Sequence, residues 1–240
     1  MKNIFIVIFL ITGILPHTAQ ELTSEQLIDK TIAYHDPNQL WDVFEGKLFI
    51  TLQYADGKER HSIIEIDLPR EYFKVTNLQD DNVIEYIVNK EDCTLLLNGE
   101  TTFTEEDAKT YRLTCEQALK TKNYYSYLYG LPMKLRDPGT IVSPEVQTKT
   151  FKGKEYLVIK VNYEENVGKD TWYFYFDPTT YAMEVYQFYH DESKNDGEYI
   201  LLNEIENVAS IKMPKIRTWY TNADDKLLGT DILTKAAPLK

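Results

Sequence analysis

Thr171-Trp172-Tyr173-Phe174-Tyr175-Phe176 is the stretch on which the fold turns. β-branched and aromatic residues favour strand, and successive side chains of a strand point to opposite faces. Trp172, Phe174 and Phe176 therefore share one face, and Tyr173 and Tyr175 the other. A sheet face that meets water is normally polar, yet both faces here are aromatic. Either a helix covers the second face as a packed core, or that face lines a ligand cavity.

The pattern continues on both sides of this segment. Residues 146–151, 155–163, 182–190, 198–206, 211–220 and 227–233 read as strands joined by short turns, among them Phe151-Lys152-Gly153-Lys154 and Asp177-Pro178-Thr179-Thr180. So many short strands at this spacing predict an antiparallel meander that curls into a barrel or half-barrel. Upstream, residues 48–54 and 62–68 flank the turn Ala55-Asp56-Gly57-Lys58 as a hairpin, and 72–75, 83–88 and 94–97 extend it.

Two helical stretches interrupt the strands. Thr23 or Ser24 caps a helix running to about Tyr34, with Leu27, Ile28, Thr31 and Ile32 on one stripe, and His35-Asp36-Pro37-Asn38 ends it. A second helical interval spans 104–129, opening on Thr104-Glu105-Glu106-Asp107, with acids where the helix dipole favours them. It closes on Tyr124, Tyr125, Tyr127 and Tyr129 before Gly130, tyrosines that cover more than one side of the helix. The fold class predicted is α+β, mostly antiparallel β: a curved half-barrel meander with an N-terminal helix and a helical lid inserted mid-chain. Tyr124, Tyr125, Tyr127, Tyr129, Trp172, Phe174 and Phe176 are its candidate cavity residues.

The first residues point to export. Lys2 is followed by twelve uncharged residues, 4–15, the length of a signal-peptide core. A membrane helix needs about 20 apolar residues, and Pro16-His17 stops this run short. Ala19 offers a small residue for cleavage, so residues 1–19 read as a signal peptide and 20–240 as a single β-rich domain. No cysteine follows the apolar run to accept a lipid. The expected location is periplasmic or secreted, in soluble form, with no integral membrane span after cleavage.

The 38 acidic residues against 26 Lys and Arg give a net charge of −12, which repels phosphate backbones and excludes nucleic acid as a partner. Cys93 and Cys115 fall on a predicted strand and a predicted helix, and form either a disulfide or two buried thiols. They have neither the companion ligands of a zinc site nor the spacing of a redox motif.

Tyr34-His35-Asp36 and Tyr189-His190-Asp191-Glu192 pair imidazole with carboxylate, so His35, His190 and Asp191 are candidate metal ligands if the end of the first helix meets a strand end; otherwise they are surface turns. His61 stands alone on a strand. Residues 191–198 are rich in oxygens but lack EF-hand spacing. Arg136-Asp137 is either a headgroup partner or a salt-bridged turn. No Gly-x-Ser-x-Gly elbow, phosphate-binding glycine loop or His-Glu-x-x-His helix occurs, so no catalytic residue and no cofactor are assigned.

Tyr34-His35-Asp36-Pro37, Tyr111-Arg112-Leu113-Thr114-Cys115, residues 127–134 (YLYGLPMK), Arg136-Asp137-Pro138-Gly139-Thr140, residues 168–174 (GKDTWYF) and Tyr189-His190-Asp191-Glu192 resemble an uncharacterised family of exported proteins and lipoproteins common in Bacteroidota. The order of elements is similar to that of the periplasmic lipoprotein carriers LolA, LolB and LppX, in which helices close an open half-barrel over an apolar cavity. That resemblance of architecture implies a carrier or binding protein for a lipid-like or other hydrophobic ligand, and transfers no residue. The alternatives are an exported metal-dependent hydrolase using His35, His190 and Asp191, and a non-catalytic envelope scaffold.

Overall fold

The computed structural model describes residues 22–79 and 81–239. Residues 1–19, read above as a signal peptide, lie outside the described residues. In chain order the elements are α1 Ser24–His35, β1 Glu45–Tyr54, β2 Glu59–Asp67, β3 Tyr72–Gln79, β4 Asn82–Asn89, β5 Asp92–Leu97, α2 Glu105–Thr110, α3 Cys115–Gly130, β6 Thr140–Val142, β7 Gln147–Phe151, β8 Lys154–Tyr163, β9 Thr171–Phe176, β10 Met183–Tyr189, β11 Glu198–Val208, β12 Ile211–Thr221 and β13 Leu227–Ala237.

All these strands join one antiparallel sheet in the order β5-β4-β3-β2-β1-β13-β12-β11-β10-β9-β8-β6, with β7 also on β8. Two meanders meet where β1 pairs with β13, Lys47 opposite Ala237 and Tyr54 opposite Gly229. The two ends of the segment between β5 and β6 therefore belong to opposite edges of the sheet. The chain must cross the sheet's full width between them, and α2 and α3 are that crossing.

Both caps follow from sequence. Thr23 Oγ1 accepts from Gln26 N–H while the Gln26 side chain accepts from Thr23 N–H, and Thr104 and Asp107 repeat this capping box at α2. The helical interval is not continuous: Arg112 takes φ 53° and breaks it at Tyr111-Arg112-Leu113, and Thr114 caps a fresh helix by accepting from Gln117 N–H. Cys93 and Cys115 are joined by a disulfide, which ties β5 to the first turn of α3.

The helices lie over the inner face of the sheet. Leu27 and Ile28 of α1 and Tyr125, Leu128 and Tyr129 of α3 pack with Phe73, Val75, Phe174, Phe176, Tyr186 and Ile200 in one core. Phe174 and Phe176 are wholly buried, each contributing about 2–3 kcal/mol. On the outer face, Tyr173 and Tyr175 form a second, smaller core with Tyr156, Val158 and Val185. Its cover is not a helix. Phe151 at the β7–β8 turn packs on Tyr175, and the Lys149 ammonium lies 4.1 Å from the centre of the Tyr173 ring. The two aromatic faces of β9 thus serve two cores, with Phe174 and Phe176 wholly buried in the larger one. Among the described residues no helix is long and apolar enough to cross a membrane.

Candidate ligand-binding groove

Where α2 turns into α3, the helices stand off the sheet. Tyr86 on β4 donates its hydroxyl proton to the carbonyls of Tyr111 and Arg112 at 2.8 and 3.3 Å, and the Asn82 amide donates to Tyr111 Oη at 2.9 Å. These polar posts prop the helical corner above the inner face of β1–β4. The space beneath is a groove of about 580 Å³, bounded by Leu52, Tyr54, Arg60, Asn77, Ile84 and Tyr86 from the sheet and by Tyr111, Arg112, Lys120, Tyr124 and Tyr125 from the helices. It continues past Leu52, Tyr54 and Tyr124 into a recess of about 310 Å³ that adds Glu198, Trp219, Leu228, Gly229 and Asp231. Both volumes fall in the range of small-molecule sites.

Tyr124 is the most exposed tyrosine of α3, at 42 %, and stacks on Trp219 with ring centres 6.2 Å apart. Beneath it runs a polar seam. Arg217 on β12 is 1 % exposed and lies in register with Asp231 on β13. Its guanidinium donates to the carbonyls of Pro214 and Leu128 at 2.8 and 3.3 Å and rests 3.9 Å over the Tyr129 ring. Such stacking suits a weakly hydrated planar cation in an interior. Asp231 accepts from Trp219 Nε1–H at 3.0 Å, and burial raises its pKa against the pull of Arg217 and Arg60. Among the buried atoms that lack a hydrogen-bond partner are Arg60 Nε, Arg217 Nε and the hydroxyls of Tyr129 and Tyr186.

Of the candidates named from sequence, Tyr124 and Tyr125 face the groove. Tyr127 packs edge-on against Trp172 and hydrogen-bonds the Tyr163 hydroxyl, and Tyr129 is buried in the core, where the Arg217 guanidinium rests over its ring. Phe174 and Phe176 belong to the packed core, and the partly buried Trp172 packs against it.

His35, His190 and Asp191 do not meet. His35 is wholly buried: Nδ1–H donates to Lys212 O at 2.7 Å, and Nε2 accepts from Met183 N–H at 3.0 Å, so both ring nitrogens are engaged by backbone. His190 lies seven residues beyond Met183 on β10, roughly 23 Å along an extended strand. It is exposed and bonds Asp170, which raises its pKa. Asp191 pairs with Lys194 and accepts from Ser193. Among the described residues no group of three His, Cys, Asp or Glu side chains is placed to hold a metal.

A larger opening of about 690 Å³ lies between α1 and residues 133–138. Several of its charges are already engaged within the protein. Arg136 pairs with Glu25 and Asp29, and both oxygens of Asp36 accept backbone N–H groups, from Leu40 and Trp41. Arg136-Asp137 is thus a salt-bridged corner against α1. The sequence reading missed Arg60, Arg112, Trp219 and Asp231. Extending the inward alternation Ser62, Ile64, Ile66 back by two residues places Arg60 inside, a signal that was available.

A single open antiparallel sheet with helices across its inner face is the LolA-like fold. The structure is similar to that of a LolA superfamily protein from Nitrosomonas europaea, with a TM-score of 0.53 at 10 % identity over 92 % of this chain and 95 % of that one. A domain from Vibrio parahaemolyticus described as an outer membrane lipoprotein-sorting protein gives 0.49 at 9 % identity, over 90 % and 92 % of the two chains. The chain belongs to a family of unknown function, DUF6503, whose model it matches over residues 2–235. No curated protein matches it.

Proposed function

We propose that this protein is an exported carrier or binding protein for a lipid-like, hydrophobic ligand, working in the periplasm or after secretion, and that the groove between α2–α3 and the inner face of β1–β4 and β11–β13 holds that ligand. The observation that carries this reading is the recess that adjoins the groove: Leu52, Tyr54, Tyr124 and Trp219 leave apolar and aromatic surface accessible there, while the buried Ile84 and Tyr86 floor the more polar groove beside it. Tyr54 and Tyr124 stay two-fifths exposed at its mouth, where burial by an apolar chain is favourable at about 25 cal/mol per Å². Export is supported by the apolar run 4–15 and the small Ala19, and the motif resemblance favours a Bacteroidota envelope as its setting. The engagement of both His35 nitrogens by backbone weighs against a metal-dependent hydrolase.

Protein purified natively from envelope and culture-supernatant fractions is expected to yield a lipid by mass spectrometry, and the emptied protein to take up a fluorescent fatty acid. Trp219→Phe, which alters the recess and also removes the donor to Asp231, should weaken that uptake severalfold, with urea unfolding of the variant showing that it remains folded. Absence of both copurifying lipid and uptake overturns the proposal.

A further inference from the structure

We propose that the groove selects an anionic amphiphile, and that Arg60 holds its acidic head group with Arg112 and Lys120 at the rim. This rests on the reading of the groove as a site for apolar ligands, and adds the charge of the head group.

The chain carries a net charge of −12. Yet the charged side chains lining the 580 Å³ groove are Arg60, Arg112 and Lys120, and the carboxylates of Glu198 and Asp231 line only the adjoining recess.

Arg60 is the informative member. It sits on the inward phase of β2, beside Ser62 and Ile64. Among the described residues it forms one side-chain hydrogen bond, from Nη2 to the neutral Tyr125 hydroxyl at a long 3.3 Å, and no salt bridge. Its Nε is buried without a partner. Asp231 acts on it only through space, and that carboxylate accepts from Trp219 and faces Arg217 in register. A guanidinium offers five N–H donors in a planar fork. Partly buried at the wall of the groove with one weak neutral acceptor, it is completed by an oxyanion that takes two of those donors at once.

The surroundings fit an amphiphile better than a free anion. Leu52, Ile84, Tyr86 and Tyr124 lie alongside Arg60, so a head group bound there sends its chain toward Trp219. A fatty carboxylate and an alkyl phosphate share this chemistry.

The test is displacement of a neutral fluorescent dye from the purified protein by dodecanoate, dodecyl phosphate, dodecanol, acetate and inorganic phosphate. At least one of the two charged amphiphiles should bind about tenfold or more tightly than dodecanol, the scale of a charge-assisted hydrogen-bonded pair. Which of the two leads identifies the source. In Arg60→Gln the ratio of charged to neutral affinity should collapse toward one, and in the exposed rim variant Arg112→Gln/Lys120→Gln, where folding is not at issue, it should fall about threefold. Equal binding of dodecanol and both anions overturns the head-group proposal while the carrier reading stands. Displacement by acetate or inorganic phosphate as strong as by the amphiphiles overturns it too, and failure of every chain-bearing probe overturns both.

Discussion

Replacing His35 with a side chain that does not titrate should remove a large part of the protein's sensitivity to acid. His35 ends α1 and joins it to two strands at once, donating to β12 through Nδ1–H and accepting from β10 through Nε2. Acceptance at Nε2 requires a neutral ring: a proton there would point a donor at the Met183 N–H. Burial, reinforced by the positive charges of Lys212 and Arg217 against the hydrogen bond to Lys212 O, lowers its pKa from 6.5 to about 4. The folded-state value lies below the unfolded one, so protonation favours the unfolded chain. The contribution is whole above pH 6.5 and is lost as pH falls toward 4. A gap of about 2.5 in pKa, at about 1.4 kcal/mol for each tenfold, amounts to about 3 kcal/mol, entering at about 1.4 kcal/mol per pH unit. Carboxylates titrate in the same window, so the measurement is a difference: urea unfolding of the native protein and of His35→Gln across pH 4–7. The stability advantage of the native protein should shrink by about 3 kcal/mol from pH 7 to pH 4. An advantage independent of pH would refute the reasoning. So would an NMR titration of the His35 ring in the native protein with a midpoint near 6.5, a readout that holds even if the variant does not fold.

Two further changes probe the scaffold around the groove. Reduction of the Cys93–Cys115 bond, or Cys115→Ser, opens a closure with a sequence separation of 22 residues and should cost about 3 kcal/mol, read as a lower thermal midpoint with and without a phosphine reductant; an unchanged midpoint would show that α3 is anchored by packing alone. Gly130→Ala should destabilise by about 1–3 kcal/mol in chemical denaturation, because the added methyl meets the Trp41 ring and the Lys134 side chain where α3 ends; a neutral result would mean that the Trp41 ring moves aside freely.

Local signals in the sequence were strong where structure is local. The stretch 171–176 is β9 to the residue, the Thr23 and Thr104 caps begin their helices, and the tyrosine-rich end of α3 stops at Gly130. The pairing of β1 with β13 carries no such signal, because strands so distant in sequence find each other only through the shape of the whole sheet. The site was harder. Two aromatic faces on β9 are compatible with a packed core or a cavity, because alternation fixes only which side a residue takes and does not say how far a helix sinks onto that side. His35 resembled a ligand or a surface turn for the same reason: a helix end in sequence does not reveal that two strands lie against it. Arg60 is hard to see in the sequence because the apolar alternation of β2 becomes regular only from Ser62, two residues after the one that places a cation inside.

The seam between β1 and β13 sets a timetable for a chain synthesised from its N-terminus. β1 to β5 emerge early and form their own ladder, yet the backbone of β1 from Lys47 to Tyr54 keeps one row of open N–H and C=O groups until Leu227–Ala237 arrives almost last. An unpaired edge of that length is a template for any passing strand. Stalled or truncated chains should therefore aggregate through β1, and a peptide copying residues 227–237, supplied during refolding, should compete for the same edge and slow recovery of the native sheet.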